Sequence, residues 1–305
     1  MQDFIDLSAW SGEALRQLIE LAIHLKTEWQ AGGNRPVLHG KVLAMVFQKP
    51  SLRTRVSFEV GMLHLGGHAI MLGPNEIGLG QRESIADVAR VLSGYAQGIM
   101  ARVFDHTHVT ELAAHATVPV INGLSDDQHP CQAMSDMLTI YEHFGRLDGL
   151  RIAYIGDGNN MAVSLAQAAM HFGAQFALAA PEVYQLPAQA VAAAVALANS
   201  TGVTLEQHID PEAAVRGADV IYTDTWVSMG QEGESAARLA ALRPYQVNER
   251  LISQARRHAI VMHCLPAHRG QEITDGVADG PQSVIFQQAA NRLHLQKAIL
   301  VQLMR

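Results

Sequence analysis

The chain has 305 residues, 49% of them hydrophobic and 17% charged, a composition that excludes a disordered or collagen-like protein. Its 22 Lys and Arg against 29 Asp and Glu give a formal charge of −7. That balance argues against a nucleic-acid or anionic-membrane partner, which calls for a basic field, but leaves room for an anionic small molecule held by a few focused arginines. The length suits two domains and a core that needs no disulfide staples.

The N-terminal MQDFIDLSAW lacks a basic head followed by an apolar run, so no signal peptide is expected. Residues 12–30 predict an amphipathic helix, with Ser11 as N-cap and Gly32–Gly33 as the stop. Short apolar runs follow at 41–47 (KVLAMVF), 68–72 (HAIML), 98–104 (GIMARVF) and 118–123 (VPVING), separated by helical segments. This alternation is that of a parallel α/β sheet. Residues 130–144 predict a long helix ending at Gly145, and Gly145–Gly149 is the expected domain boundary. A second series begins at RIAYIGDGNN (151–160), with strands expected at 176–180, 203–205, 219–223 and 259–264. The alanine-rich stretch around Ala188–Ala198 is too short to span a bilayer. Asp210–Pro211 is a helix-start signal, and about 288–304 reads as a terminal helix. The two cysteines, Cys131 and Cys264, form no disulfide framework and suit a reducing cytoplasm, the expected location.

Three groups of residues carry chemistry, each at a predicted strand end, where α/β enzymes place ligands. The first strand runs into KPSLRTRVSFE, where hydroxyls on Ser51 and Thr54 and guanidinium groups on Arg53 and Arg55 stand at the start of a helix. Unpaired N–H groups and arginine forks together suit phosphate. Composition alone equally describes a capped helix whose arginines pair with Glu59 or solvent. Next, Arg102 ends a strand pattern, and Pro130 at the first helical position aims His129 out of a helix end. A guanidinium, an imidazole N–H and a hydroxyl can stabilise negative charge growing on a carbonyl oxygen. Cys131 reads as a core thiol. The third group lies in the second series. Asn159 and Asn160 suit an amino acid's polar head, Asp224 suits a cationic amine, and a loop with Ser228, Met229 and Gly230 follows it. Gly156-x-Gly158 is a weak dinucleotide fingerprint, because Met161 stands where a third glycine belongs; Glu182 lies where a ribose-binding acid would fall, so that reading stays open. His263, Cys264 and His268 lack the fourth ligand and the spacing of a zinc site, and no metal is expected.

These stretches, with His263-Cys264-Leu265-Pro266, resemble the ornithine branch of the aspartate/ornithine carbamoyltransferase family, in order and over nearly the whole chain. The resemblance implies two Rossmann-like α/β domains with parallel sheets, joined by interdomain helices. It divides them as 1–145 for carbamoyl phosphate and 146–287 for ornithine, with a C-terminal helix, 288–305, returning to the first domain. It implies transfer of a carbamoyl group from carbamoyl phosphate to the side-chain amine of L-ornithine, in arginine biosynthesis, with no cofactor and by a homotrimer or a multiple of trimers. By residue match, carbamoyl phosphate would be bound by Ser51, Leu52, Arg53, Thr54, Arg102, His129, Gln132, Cys264, Leu265 and Arg292. Ornithine would be bound by Asn160, Asp224, Ser228 and Met229, and Arg102, His129, Asp224 and Cys264 would be catalytic. Two positions depart from the family pattern. Leu52 stands where Thr is usual, and Gly78 where many members carry a Gln that reaches a neighbouring subunit, with Arg82 as a replacement charge.

Rival readings are a sibling transferase acting on N-acetylornithine, putrescine or aspartate, a nicotinamide-dependent dehydrogenase using the Gly156–Gly158 turn, and a non-catalytic binding subunit. The second leaves the arginine loop and His129 without a purpose. The intact set Arg53, Arg102, His129, Asp224 and Cys264 argues against the third.

Overall fold

A computed structural model describes residues 2–198, 202–228 and 230–305. The chain divides into two compact units: residues 1–138 with 290–305, and residues 139–289. Both are parallel α/β sheets wrapped by helices. Among the described residues no helix is long and apolar enough to cross a membrane.

The first unit holds four strands, β1 (Val42–Phe47), β2 (His68–Leu72), β3 (Gly98–Arg102) and β4 (Val120–Leu124). They lie in the order β2-β1-β3-β4, all parallel. β1 and β3 are almost wholly buried, as expected of central strands covered on both faces. The opening helix runs Gly12–Gln30 with the Ser11 hydroxyl accepting from the Ala14 N–H, and it buries Leu15, Leu18, Ile19, Ala22 and Leu25 at helical spacing. The predicted helix at 130–144 is found as Pro130–Phe144.

The second unit holds β5 (Arg151–Ile155), β6 (Gln175–Ala179), β7 (Leu205–His208), β8 (Val220–Thr223) and β9 (Ile260–His263), in the order β7-β6-β5-β8-β9. Only β7 is displaced from expectation. Its partly exposed residues pair with β6 from Phe176↔Leu205 onward, so the strand begins where 203–205 was expected to end. The terminal helix, Ile285–Met304, starts one turn before the expected 288. Its first turn buries Ile285 in the core of the second unit, whereas residues from Ala290 onward belong to the first. A single apolar stripe therefore does not run its full length.

Each sheet order reverses direction once, between β1 and β3 in the first unit and between β5 and β8 in the second. At such a point the loops leave the sheet on opposite faces and open a crevice at the carboxyl ends of the strands. Gly78 has a local reason to be glycine: it ends the turn Pro74–Ile77 at φ 53°, and a Cβ there would stand 2.7 Å from that of Arg82.

Candidate functional site

In the first unit, five separate stretches converge on the reversal point. Ser51 caps the helix Leu52–His64, its hydroxyl accepting from the Thr54 N–H. This leaves the first turn facing the ends of β1 and β3, which are in register at Phe47↔Arg102. The buried Thr54 hydroxyl accepts from Arg292 Nη2 at 2.9 Å and is approached by Arg102 Nη1 at 3.5 Å. The other arm of Arg292 donates to Gln132 Oε1, and Gln132 Nε2 donates to Asp136 Oδ1 at 2.8 Å. The Gln132 amide is thereby oriented by a cation on one side and a carboxylate on the other. His129 is buried beside them, and burial, then Arg292, Arg102 and Arg53, hold its pKa well below the ordinary imidazole value. It is a neutral imidazole at neutral pH, able to donate one N–H without carrying charge.

The other predicted residues here differ in placement. Arg53 is half-buried and close enough to act on His129. Arg55 points out and pairs with Glu59 at 3.0 Å, which is the ordinary surface reading. Leu52 is 74% exposed, so its side chain contributes nothing buried to the cluster. Cys131 is buried, its Sγ donating to the Asn122 carbonyl, and burial pushes the thiol up to about 12, which removes it as a nucleophile.

Lys49 was missed. It is 6% exposed on the loop after β1, with its Nζ 4.4 Å from the centre of the Phe104 ring. Burial and the charge of Arg102 lower its pKa while Asp126 opposes them. A lysine is normally read as a solvated side chain, so composition gave no signal for it.

The second unit assembles a different site. Asp224 follows β8 and its carboxylate is held from three directions. Thr225 N–H donates to Oδ1 at 2.7 Å, the Cys264 thiol donates to Oδ1 at 2.9 Å, and Asn159 Nδ2 donates to Oδ2 at 3.0 Å. Asn160 opens the helix Asn160–Phe172 beside them. Ser228 is half-buried, its N–H bonded to Gln231 Oε1 at 3.1 Å; Met229 lies outside the described residues. Leu265 has a left-handed backbone (φ 59°), uncommon for a residue with a branched side chain. Its N–H donates to His263 Nδ1 at 2.8 Å. Because Nδ1 accepts, the ring proton is on Nε2, which meets Glu272 Oε1 at 3.0 Å.

Ligand atoms of Asp224, His263 and Cys264 lie within 4.8 Å of one another. Both nitrogens of His263 are engaged with protein groups, and His268 Nδ1 turns to the Thr225 hydroxyl at 3.0 Å, so the hydrogen bonds account for the cluster. Asp157, also missed, pairs with Arg238 in a buried ion pair; Arg238 further donates to the Trp226 carbonyl and lies over the Tyr184 ring. Burial pushes the Asp157 carboxyl up to about 6 against the pull of Arg238.

The dinucleotide reading fails on the same turn. Gly158 is packed against the backbone of Tyr184–Leu186, with contacts of 2.7–2.8 Å awaiting any Cβ, and its N–H is bonded to the Tyr184 carbonyl. The close approach that glycine permits is used by the protein's own chain rather than left for a pyrophosphate.

Family models match both units: the carbamoyl-P binding domain of aspartate/ornithine carbamoyltransferase over residues 2–142, and its Asp/Orn binding domain over residues 148–303. The chain belongs to the aspartate/ornithine carbamoyltransferase family. It is 54% identical to the ornithine carbamoyltransferase of Anoxybacillus flavithermus over 303 residues, covering 99% of this chain and 96% of that protein. It is similar to the solved ornithine carbamoyltransferase of Pyrococcus furiosus with a TM-score of 0.97 and 50% identity, covering 99% of this chain and 97% of that one. That of Thermus thermophilus matches with a TM-score of 0.90 and 42% identity, covering 99% of each chain. Membership in this carbamoyltransferase family accounts for two doubly wound sheets, each with its own polar cluster. The family's departure at Gly78 leaves Arg82 exposed, with Nη1 approaching the Glu76 carbonyl at 3.4 Å.

Proposed function

We propose that the protein transfers the carbamoyl group of carbamoyl phosphate to the side-chain amine of L-ornithine, giving citrulline and phosphate. The observation that carries this reading is the carboxylate of Asp224, fixed by three donors at the reversal point of the second sheet. Around it stand Asp157, Asn159, Tyr154 and Cys264, and the Arg238 guanidinium is committed to Asp157. An acidic and neutral lining suits a cationic diamine and repels aspartate, whose second carboxylate would need a basic partner.

On the first unit, Ser51, Arg53, Thr54 and Arg292, with the N–H groups of the helix beginning at Leu52, hold the phosphate. Arg102, Thr54 and the N–H of a neutral His129 stabilise the oxygen on which charge grows as the amine attacks the carbamoyl carbon. Gln132 orients the carbamoyl amide, and Cys264 and Leu265 complete the set at the end of β9. Asn160, Ser228 and Met229 hold the α-amino and carboxylate groups of ornithine. Asp224 and Cys264 orient its side-chain amine. A free amine of this kind has a pKa of about 10.4 and must react in its neutral form. The C–N bond forms, the C–O bond to phosphate breaks, and the departing phosphate takes the amine proton. No covalent enzyme intermediate is needed, because positioning alone supplies roughly 7–11 kcal/mol of such a barrier.

The reading extends to domain limits of 1–145, 146–287 and 288–305, a cytoplasmic location, a homotrimer or a multiple of trimers, and arginine biosynthesis. The last is supported by a Pyrococcus furiosus relative, 50% identical over 303 residues and named "Ornithine carbamoyltransferase, anabolic". The deciding experiment is citrulline formation from carbamoyl phosphate and ornithine, run beside N-acetylornithine, putrescine and aspartate. Preference for any of those three would replace the assignment, and light scattering of the purified protein gives the assembly.

A further inference from the structure

We propose that Asn159 is the positioning residue of the amine site: the first turn of the helix Asn160–Phe172 locks its amide so that its NH2 end donates to Asp224 and holds that carboxylate in its working attitude. The inference rests on the reading of Asp224 as the group that meets the substrate amine. The sequence resemblance assigns ornithine contact to the neighbouring Asn160 and gives Asn159 no task.

The orientation of an Asn amide is usually ambiguous, because its oxygen and nitrogen are nearly the same shape. Here the chain decides it. Oδ1 of Asn159 receives the N–H of Met161 at 3.0 Å, the N–H of Ala162 at 3.1 Å and the Tyr154 hydroxyl at 3.1 Å. Turning the amide over would set its NH2 against two backbone N–H groups and leave both unpaired at the helix start. Tyr154 stays a donor: burial, then Asp224 and Cys264, push its phenol well above its ordinary value. Its ring is stacked on Tyr222 with centres 5.3 Å apart. Nδ2 therefore faces Asp224 Oδ2 at 3.0 Å and has no alternative orientation.

This donor matters because of what else faces Asp224. Asp157 comes from the same glycine turn with its partner Arg238, Tyr154 from β5, and His263 and Cys264 from the end of β9. Thr225 N–H and the Cys264 thiol both bind Oδ1. Oδ2 is tied by Asn159, so without that bond the carboxylate can rotate about its Cβ–Cγ axis away from the substrate amine.

Two substitutions separate positioning from simple capping. Asn159→Ser keeps a good N-cap but removes the donor to Asp224. We expect kcat/KM for ornithine to fall about tenfold or more, the range for losing a hydrogen bond to a charged group. The KM for carbamoyl phosphate and the melting temperature should stay near wild type. Asn159→Asp also caps, but sets a carboxylate oxygen against Asp224. The acid limb of the kcat/KM profile for ornithine should move up by about one pH unit or more, because two carboxylates at this distance share a proton. Wild-type constants and profile in both variants, or equal losses toward both substrates together with a lowered melting temperature in the Ser variant, overturn the proposal. If the Asp variant does not fold, the Ser variant alone decides. A wild-type enzyme that makes no citrulline would instead strike the function proposed above. The crystal structure of the Ser variant then still tests the positioning: Asp224 is expected to turn from its observed rotamer, and an unmoved carboxylate overturns the idea whatever the substrate.

Discussion

Replacing Arg292 by Met tests the first site most directly, because this one side chain, 3% exposed, is bonded to two of the groups proposed to hold the donor substrate. The substitution removes a charged donor from Thr54 Oγ1 and from Gln132 Oε1. Thr54 keeps a long contact with Arg102 at 3.5 Å, so Gln132 Oε1 is the acceptor left stranded. One buried acceptor without its partner costs about 1–3 kcal/mol, and a urea denaturation midpoint should fall accordingly. The functional loss is separate. A charge-assisted bond to substrate phosphate contributes about 1.5–3 kcal/mol, or roughly a 10–150-fold drop in kcat/KM for carbamoyl phosphate. Calorimetric titration with inorganic phosphate should show a weakened Kd, while the KM for ornithine moves little. Arg292→Lys keeps the charge but cannot span both acceptors, so it should fall between Met and wild type. The reasoning fails if phosphate affinity and kcat/KM for carbamoyl phosphate both survive in the folded Met variant, since Arg292 would then be only a strut.

Three further outcomes are expected. Arg102→Ala should cut kcat far more than it raises the KM for ornithine in steady-state assays; an unchanged turnover number removes Arg102 from catalysis. Asp224→Asn should raise the KM for ornithine and lower the rate, and ordinary ornithine kinetics would refute its amine role. His129 is buried with its pKa below the unfolded value of about 6.5, so as pH falls from 7 toward 6 the unfolded chain takes up a proton that the folded one refuses. Stability should therefore drop by up to about 1.4 kcal/mol per pH unit, and His129→Gln should flatten that slope in urea titrations. The interval above pH 6 is the right one, because Asp157, raised to about 6, acts in the opposite sense below it.

The sheets were legible because their strands are short apolar runs that stop at turn residues; eight of the nine strands lie where the runs predict them, β7 excepted because its residues are only half-buried. The strand ends were legible for the same reason, and the reversal of strand order explains why residues at those ends converge. What periodicity could not give was long-range pairing. Nothing in spacing links Arg292 to Thr54, 238 residues away; family resemblance alone nominated it. Asn159 was partly visible, since an Asn before a helix start is an N-cap signal, and a capping side chain is spoken for by its own backbone. Carrying that step through would have separated the roles of the two asparagines before any coordinates. Lys49 and the Asp157–Arg238 pair were invisible because charged residues are read as solvated unless burial is known.

The two clusters also explain how an acidic chain can serve an anionic substrate. The net charge of −7 governs the far field, but a bound molecule responds to the groups within a Debye length, about 10 Å or less in ordinary salt. In the first unit Arg53, Arg102 and Arg292 act together on one buried imidazole and drive it neutral, a sign that their fields overlap there. A phosphate entering that field relieves the repulsion among the three cations as well as forming hydrogen bonds. In the second unit the overlap has the opposite sign: Asp224 and Asp157 raise the phenol of Tyr154, and Asp224 raises Asp157 in turn. A diammonium substrate relieves that repulsion likewise. Binding at each cluster should then weaken with added salt, and Arg292→Met and Asp224→Asn should each flatten the salt dependence for their own substrate alone. A variant that flattened both would mean that bulk charge, not these local clusters, selects the substrates.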